Sequence, residues 1–347
     1  MKKIIINILD ENRERLDIID VAESVLWTKK YQDVGGCVIK LPPTLYWVNL
    51  FISEAKYLSR DDDDMVCEIK KLHIATDNTT NKTTLTVTAL SCETLLNQRI
   101  VWNMLSYNTQ AEIYIRRLVL DNFISSDNKD RNVDFIKLGT LKQYPEMINK
   151  QVTYDEVLPT IIDICKTYGF GFRFLLGDDN NFYFDVYRGK DVSTSQEENS
   201  YVVFSKEFNN LQSFEWEIDL SGFKNVCLVG GEGEGTLRKT KAVGTASGIK
   251  RYEMFADAKS LSSEDGAIVD YDEVLNESGV EALSTRPIVT KFACKIDVEQ
   301  YEYKVDFDLG YIVTVEADYG LTVDARIIEI VEAEDVNGYR VTANLEL

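Results

Sequence analysis

Two stretches near opposite ends of the chain read as the same object. EIKKLHIATDNTTNKTTLTVTAL (68–90) and RIIEIVEAEDVNGYRVTANL (326–345) each run as strand, Asp/Asn turn, strand. The separation from Ile69 to Asp77 equals that from Ile327 to Asp335, and each second strand carries Val-Thr-Ala, at Val87–Ala89 and Val341–Ala343. Apolar and polar residues alternate in both, the period of a strand with one buried face. The first turn is the longer. A hairpin repeated this far apart predicts two related β modules, with inserts between or within them.

The first hundred residues read mainly as β, with strands at Lys3–Leu9, Ser24–Lys29, Cys37–Leu41, Glu68–Ile74 and Thr83–Leu90, then a short helical exit over Cys92–Ile100. Residues 101–201 change character. A helix over Asn108–Phe123 places Ala111, Ile115, Leu118 and Val119 on one face, with Asn108 or Thr109 as cap. A second, Thr153–Tyr168, opens on a Thr153-to-Glu156 capping box and buries Val157, Ile161, Ile164 and Cys165, with Pro159 near its start. GFGFRFLL, GDDNN and FYFDVYRG form a hairpin. This block is expected to be an α+β insert. Strands return at Phe214–Asp219 and Lys224–Gly230, a helix weakened by Gly279 follows over Asp270–Ser284, and the last 60 residues are β again. The expected segments are module one over 1–100, an insert over 101–201, module two over 202–240 with 287–347, and a small insert over 241–286.

At 347 residues the chain exceeds one ordinary core. No apolar run approaches the roughly 20 residues that span a bilayer. MKKIIINILDENRERL has only six mostly apolar residues before Asp10 and Glu11, so it reads as a first strand and not a signal peptide. A net charge of −20 opposes attraction to nucleic-acid phosphates. Six widely spread cysteines without a CxxC pair read as reduced, mostly buried thiols of a cytosol-made protein.

Most catalytic chemistry is missing. The single histidine, His73, excludes HExxH proteases and His-rich metal sites; it reads as a surface or rim residue. There is no GxSxG elbow and no P-loop. VCLVGGEGEGTLRKT (226–240) invites a dinucleotide reading, yet its glycines follow GxGxG and not GxGxxG, since Thr236 holds the last place. Glu232 and Glu234 would face the pyrophosphate, and no apolar-periodic helix follows. A strand ending in a flexible or bulged glycine loop is expected instead. RDDDDMV (60–66) lacks the ligand spacing and central glycine of a calcium loop and reads as a solvated turn. No cofactor, metal or catalytic residue is expected.

Nine segments, in order, resemble the ReqiPepy-type siphophage tail family, itself related to baseplate-hub and tail-tip proteins with Tal-type N-terminal hub domains. They are YQDVGGCVIKLPP (31–43), LLNQRIVW (95–102), RNVDFIKLG (131–139), YRGKDVSTSQ (187–196), VVFSKEFNNLQSFEWEID (202–219), KNVCLVGGEGEGTLR (224–238), SGIKRYEMFADAK (247–259), YKVDFDLGYIVTV (303–315) and ARIIEI (325–330). The resemblance marks Tyr31, Gln32, Gly35, Gly36, Pro42, Arg99, Gly139, Gly189, Asp191, Phe204, Asn210 and Leu211 as motif positions with structural roles. It marks Asn225, Gly230, Gly231, Gly233, Gly235, Arg238, Gly248, Arg251, Glu253, Leu309 and Gly310 in the same way. Cys37 and Tyr311 depart from the family pattern, the latter at a turn.

The resemblance implies a β-rich α+β fold, with two β-barrel-like tube modules and α+β insertions. It implies a non-enzymatic virion component, a hub at the distal end of a tail, trimeric so that six modules make a ring. Expected partners are further copies of itself, the distal tail protein ring, the tape-measure protein and receptor-binding or baseplate proteins. Viral DNA would pass through transiently without specific binding, which a carboxylate-rich lumen favours. With nothing after Leu347, no lytic or fibre domain is expected. The competing expectations are a carbohydrate-binding module for the host surface and a wall-degrading glycosidase or peptidase.

Overall fold

The computed structural model describes residues 3–79, 81–261, 270–296, 301–317 and 320–346. Along the chain, β1 (Ile6–Leu9), β2 (Arg15–Ile19), β3 (Ser24–Lys30) and β4 (Gly36–Leu41) lead to helix α1 (Leu45–Ser53). Then come β5 (Tyr57–Arg60), β6 (Asp63–Asp77) and β7 (Lys82–Ser91). A 3-10 turn over Cys92–Gln98 precedes β8 (Leu105–Gln110), α2 (Ala111–Val119), β9 (Ile136–Leu138), β10 (Met147–Val152) and α3 (Val157–Tyr168). β11 (Gly171–Leu176) and β12 (Phe182–Tyr187) form the expected hairpin. β13 (Val203–Ser205), β14 (Leu211–Asp219), β15 (Val226–Gly230), β16 (Thr240–Val243) and β17 (Glu253–Asp257) follow. The chain closes with α4 (Tyr271–Ser284), β18 (Val289–Ile296), β19 (Ile312–Ala317), β20 (Leu321–Asp335) and β21 (Gly338–Glu346).

The main sheet has thirteen strands in the order β14-β18-β21-β20-β3-β4-β7-β6-β5-β1-β2, with β19 on β20 and β13 on β19. One series occurs in it twice. β3-β4-β7-β6-β5 and β14-β18-β21-β20-β19 run in the same spatial order, and the β20–β3 pairing joins them. The repeated hairpin noted in the sequence is β6–β7 in one series and β20–β21 in the other. Its likeness reaches backbone detail. β6 and β20 are both 15 residues long, ending on Asp77 and Asp335. Each carries a register shift at the corresponding place, between Ile69 and Lys71 and between Ile327 and Glu329. An extra residue there sharpens the local twist and fixes the register of everything beyond it.

The chain forms two compact units. The first comprises residues 1–95, 172–215 and 292–347, the second 96–171 and 216–291. Residues 172–201 therefore group with the long hairpins, and β15 and β16 group with 241–286, where the sequence segments divide differently. The first unit has a core of Ile6, Ile8, Trp27, Ile39, Leu41, Leu58, Leu85 and Val87, which alternate inward along their strands. In the second unit β16-β15-β17 make a small sheet whose apolar residues Val229, Val243 and Cys227 pack on Val274 and Leu275 of α4. Gly279, expected to weaken α4, is what lets it approach: a Cβ there would lie 2.4 Å from Val243 Cγ2.

Three local expectations are corrected, and one helix falls where none was assigned. LYWVNLFIS (45–53) is helical; Thr44 caps it by accepting from Trp47 N at 3.2 Å. Asn108 and Thr109 do not cap a helix. They lie in β8, paired with Asn149 and Ile148 of β10, and α2 starts at Ala111 and widens into a π-turn over Leu120–Ile124. α3 starts at Val157 with Glu156 at its cap and no side-chain capping bond, so Pro159 falls in the first turn, where no N–H is required of it. The RDDDD segment is a solvated turn only at Asp61 and Asp62, which are exposed; Asp63 and Asp64 enter β6 and are drawn inward, for reasons given below.

Candidate functional site

The glycine-rich stretch closes on itself. β15 ends at Gly230, Gly233 and Gly235 take φ of +95° and +55°, and the chain turns back into β16. Arg238 folds into the space a phosphate would need: Nη2 donates to Gly230 O at 2.8 Å and Nε to Gly231 O at 3.1 Å. Its guanidinium also meets the Asp257 carboxylate. A Cβ on Gly231 would lie 2.4 Å from the Tyr271 hydroxyl, which accepts from Glu232 N at 2.8 Å and donates to Leu261 O at 2.9 Å. Only a three-residue 3-10 turn, Gly235–Leu237, begins at the loop, too short to aim a macrodipole at a phosphate. Nearby, Asn225 Oδ1 accepts from Tyr252 N at 2.9 Å and its Nδ2 donates to Lys250 O at 2.8 Å. Gly248 opens that turn at φ +58°, and Arg251 bonds Ala246 O and Glu253. Arg238, Gly230 and Gly231 hold one another, as do Asn225, Arg251 and Glu253 with their turn, and among the described residues they leave no ligand cradle.

In the first unit three motif segments far apart in sequence meet at one tyrosine. Tyr31 is fully buried; its hydroxyl donates to Tyr187 O and accepts from Gly189 N, both at 3.3 Å. Gly310, at φ +85°, packs under the ring: a Cβ would lie 2.3 Å from Tyr31 Cε2. A Cβ on Gly189 would lie 2.1 Å from Gly310 C. Only glycine allows three strands' ends to touch here. Gly35 and Gly36 pass equally close to Thr28 O and Ala89 O. Asn210, fully buried, closes its own turn by accepting from Ser205 N at 2.8 Å and donating to Val203 O at 2.7 Å. Phe204 packs edge-on against Phe307, while Leu211 and Leu309 are buried beside the strands they flank. Asp191 turns the chain by accepting from Ser193 N. Pro42 O receives Thr44 N ahead of α1, and Gln32 is half-buried. In the second unit Arg99 lies 5.6 Å over Phe123, and Gly139 O accepts from Arg116.

The feature that sequence reasoning missed is a buried ionic network. Asp63, with a fully buried side chain, lies 3.4 Å from Lys29 Nζ and 2.5 Å from Lys304 Nζ. It also accepts from Trp27 Nε1 at 3.3 Å and Met65 N at 3.0 Å. Asp64 bonds Lys29 at 2.5 Å and Arg173, whose guanidinium stacks 4.5 Å over Tyr187. Arg60 reaches Glu332 with two bonds of 2.8 and 3.1 Å and also grips Asp62. Tyr339 OH donates to Glu332 at 2.6 Å. Burial opposes Asp63's charge, but Lys29 and Lys304 outweigh it and hold its carboxyl down at about 2. Burial would likewise lower Lys29, and Tyr303, Asp63 and Asp64 outweigh that, so it stays cationic. The partners are up to 272 residues apart. Four acids in a row look solvated because nothing local balances them.

This network fastens distant segments of the first unit to one another. The cavity beside it, lined by Lys29, Asp64, Glu93, Arg173 and Asp308 among others, has about 40 Å³, room for a few waters and none for a sugar ring. Glu93 is pushed up by burial, although it accepts from Phe174 N at 2.8 Å. Burial likewise raises the thiols of Cys37, Cys67, Cys92, Cys165 and Cys227, so none is an activated nucleophile. Those five are buried thiols outside any disulfide, as expected; the Cys294 side chain lies outside the described residues. Among the described residues no group of three or more His, Cys, Asp or Glu could hold a metal ion. No described helix is long and apolar enough to cross a membrane. His73 is exposed on β6.

The fold is similar to those of several solved phage-tail proteins. A tail protein from Neisseria meningitidis MC58 matches with TM-score 0.57 at 10% identity, covering 100% of this chain and 97% of the other. The 43 kDa tail protein of prophage MuSo2 from Shewanella oneidensis gives 0.61 at 11%, covering 99% and 98%. Prophage tail protein gp18 from Listeria monocytogenes EGD-e gives 0.55 at 12%, covering 99% and 94%. No curated protein matches the sequence. Residues 5–345 match the family of Siphovirus ReqiPepy6 Gp37-like proteins, and the chain belongs to that family.

Proposed function

We propose that this phage-tail structural protein is a hub: three copies close a ring at the distal end of a tail tube, in the virion tail tip or baseplate. The carrying observation is the strand series that occurs twice, β3-β4-β7-β6-β5 and β14-β18-β21-β20-β19, with its bulge at the same place. One chain with two equivalent modules gives six from three copies, which matches a sixfold tube above to threefold parts below. The ring would join the distal tail protein and tape-measure protein to receptor-binding or baseplate proteins. DNA would pass through it unbound, consistent with the net charge of −20. The role is structural and non-enzymatic, so any wall-cutting chemistry belongs to another chain. Native mass spectrometry of the purified chain across a concentration series tests this. A trimer is expected; a chain that remains monomeric or forms dimers contradicts it.

A further inference from the structure

The two equivalent hairpins differ in one respect, which indicates how one copy meets the next. The first half of each long strand pairs with a short neighbour, β5 for β6 and β19 for β20. The second half of β20 is paired on both sides, with β21 and, through Glu329–Glu334, with β3. The second half of β6 has β7 on one side and, among the described residues, no strand on the other. Lys70, Lys71, His73 and Ile74 stand exposed along it. An edge this long, with no described strand along it, is a template for another strand.

The repetition identifies that strand. β3 neighbours β4, which neighbours β7; β14 neighbours β18, which neighbours β21. β14 therefore holds in the second series the place of β3, and SVLWTKK (24–30) and SFEWEID (213–219) share the same Ser and Trp spacing. β14 also ends the sheet, leaving its outer edge without a described strand. The geometry points to an antiparallel pairing of the second half of β6 in one copy with β14 of the next, equivalent to the internal β20–β3 joint.

The register follows by transfer. Glu329 opposite Lys30 becomes Lys71 opposite Asp219, and Val331 opposite Thr28 becomes His73 opposite Glu217. Ile330 opposite Lys29 becomes Leu72 opposite Ile218, and Glu332 opposite Trp27 becomes Ile74 opposite Trp216. Side-chain chemistry beyond the shared Ser and Trp took no part in that transfer, yet it agrees. Lys71 and the His73 imidazole face carboxylates on one side of the joint, and apolar residues face apolar residues on the other. A slip of one residue would set Lys71 against Ile218 and Leu72 against Glu217, reversing both matches. In a chain of net charge −20 this edge is locally cationic, and the strand proposed to meet it is acidic. Three such joints alternate with three internal ones, so a heterologous contact closes into a ring.

This inference rests on the hub reading, and its test separates the two. The double variants His73→Cys/Glu217→Cys and Leu72→Cys/Ile218→Cys cover both classes of cross-strand pair. Mild oxidation should convert one or both to a covalent trimer on a non-reducing gel. The slipped variant Leu72→Cys/Glu217→Cys and the unmodified chain should stay uncrosslinked. Lys71→Glu should weaken trimers seen by native mass spectrometry, and adding Asp219→Lys in the same chain should restore them. Trimers of the unmodified chain with neither pair crosslinking overturn the pairing alone. Absence of any trimer overturns the hub reading and the pairing with it.

Discussion

Cutting Arg60 from Glu332 should unfasten the two β series, and the effect has a calculable size. Both side chains are at most 1% exposed and share two short bonds, and Arg60 also lies 5.3 Å over the buried Trp27 ring. Arg60→Met leaves a buried Glu332 carboxylate with Tyr339 as its remaining side-chain donor named above, and Glu332→Leu leaves a buried guanidinium with the half-exposed Asp62. Removing one member of such a pair costs about 3–5 kcal/mol, because the orphaned charge stays out of water. Replacing both with apolar side chains removes that penalty, so the double variant should lose less than either single. Urea unfolding followed by tryptophan fluorescence measures all four corners of the cycle. A coupling energy of about 3 kcal/mol is expected. Singles that lose under about 1 kcal/mol, or a double that loses their sum, would show that the pair contributes nothing specific.

Gly310→Ala should destabilise by about 2–4 kcal/mol, since it adds a Cβ at φ +85° against the Tyr31 ring; Tyr31→Phe should cost only about 1 kcal/mol, the value of its two long hydrogen bonds. Thermal or urea unfolding of both variants checks that order. Asp63 is held at about 2 when folded, below the ordinary aspartate value. Its contribution is therefore fully present above about pH 4 and lost as pH falls toward 2, some 2–3 kcal/mol in all. Stability measured between pH 5 and 2.5 should fall more steeply in the unmodified chain than in Asp63→Asn. Arg238→Ala should loosen the glycine loop, read as faster amide exchange over 230–239, without creating nucleotide binding; a Tm rise with added dinucleotide would contradict the account of that loop.

The hairpins were legible because alternation, turn residues and β-branched content all agreed at 68–90 and 326–345. The bulges at Lys70 and Ile328 were not, since an inserted residue leaves no mark in an alternation that is already irregular. α1 was missed because Trp47, Val48, Phe51 and Ile52 have strand propensity; one Thr44 cap and burial of Leu50 and Phe51 override it. The start of α3 was misread because Thr153 and Glu156 have the spacing of a capping box, although the helix begins one residue after Glu156. The ionic network was invisible for a different reason. Asp63 is a buried anion only because Lys29 and Lys304 arrive from distant parts of the chain. The glycine loop, by contrast, was readable by what it lacked, a sixth-position glycine and a following helix.

The central claim is that two equivalent β modules in one chain build a six-module ring from three copies. A cryo-EM map of the assembled oligomer tests it most directly. The account predicts threefold symmetry with an apparent sixfold repeat of the long hairpins, β6–β7 alternating with β20–β21 around an acidic channel. A ring of another order, or a trimer in which the two hairpins occupy inequivalent radii, would contradict it.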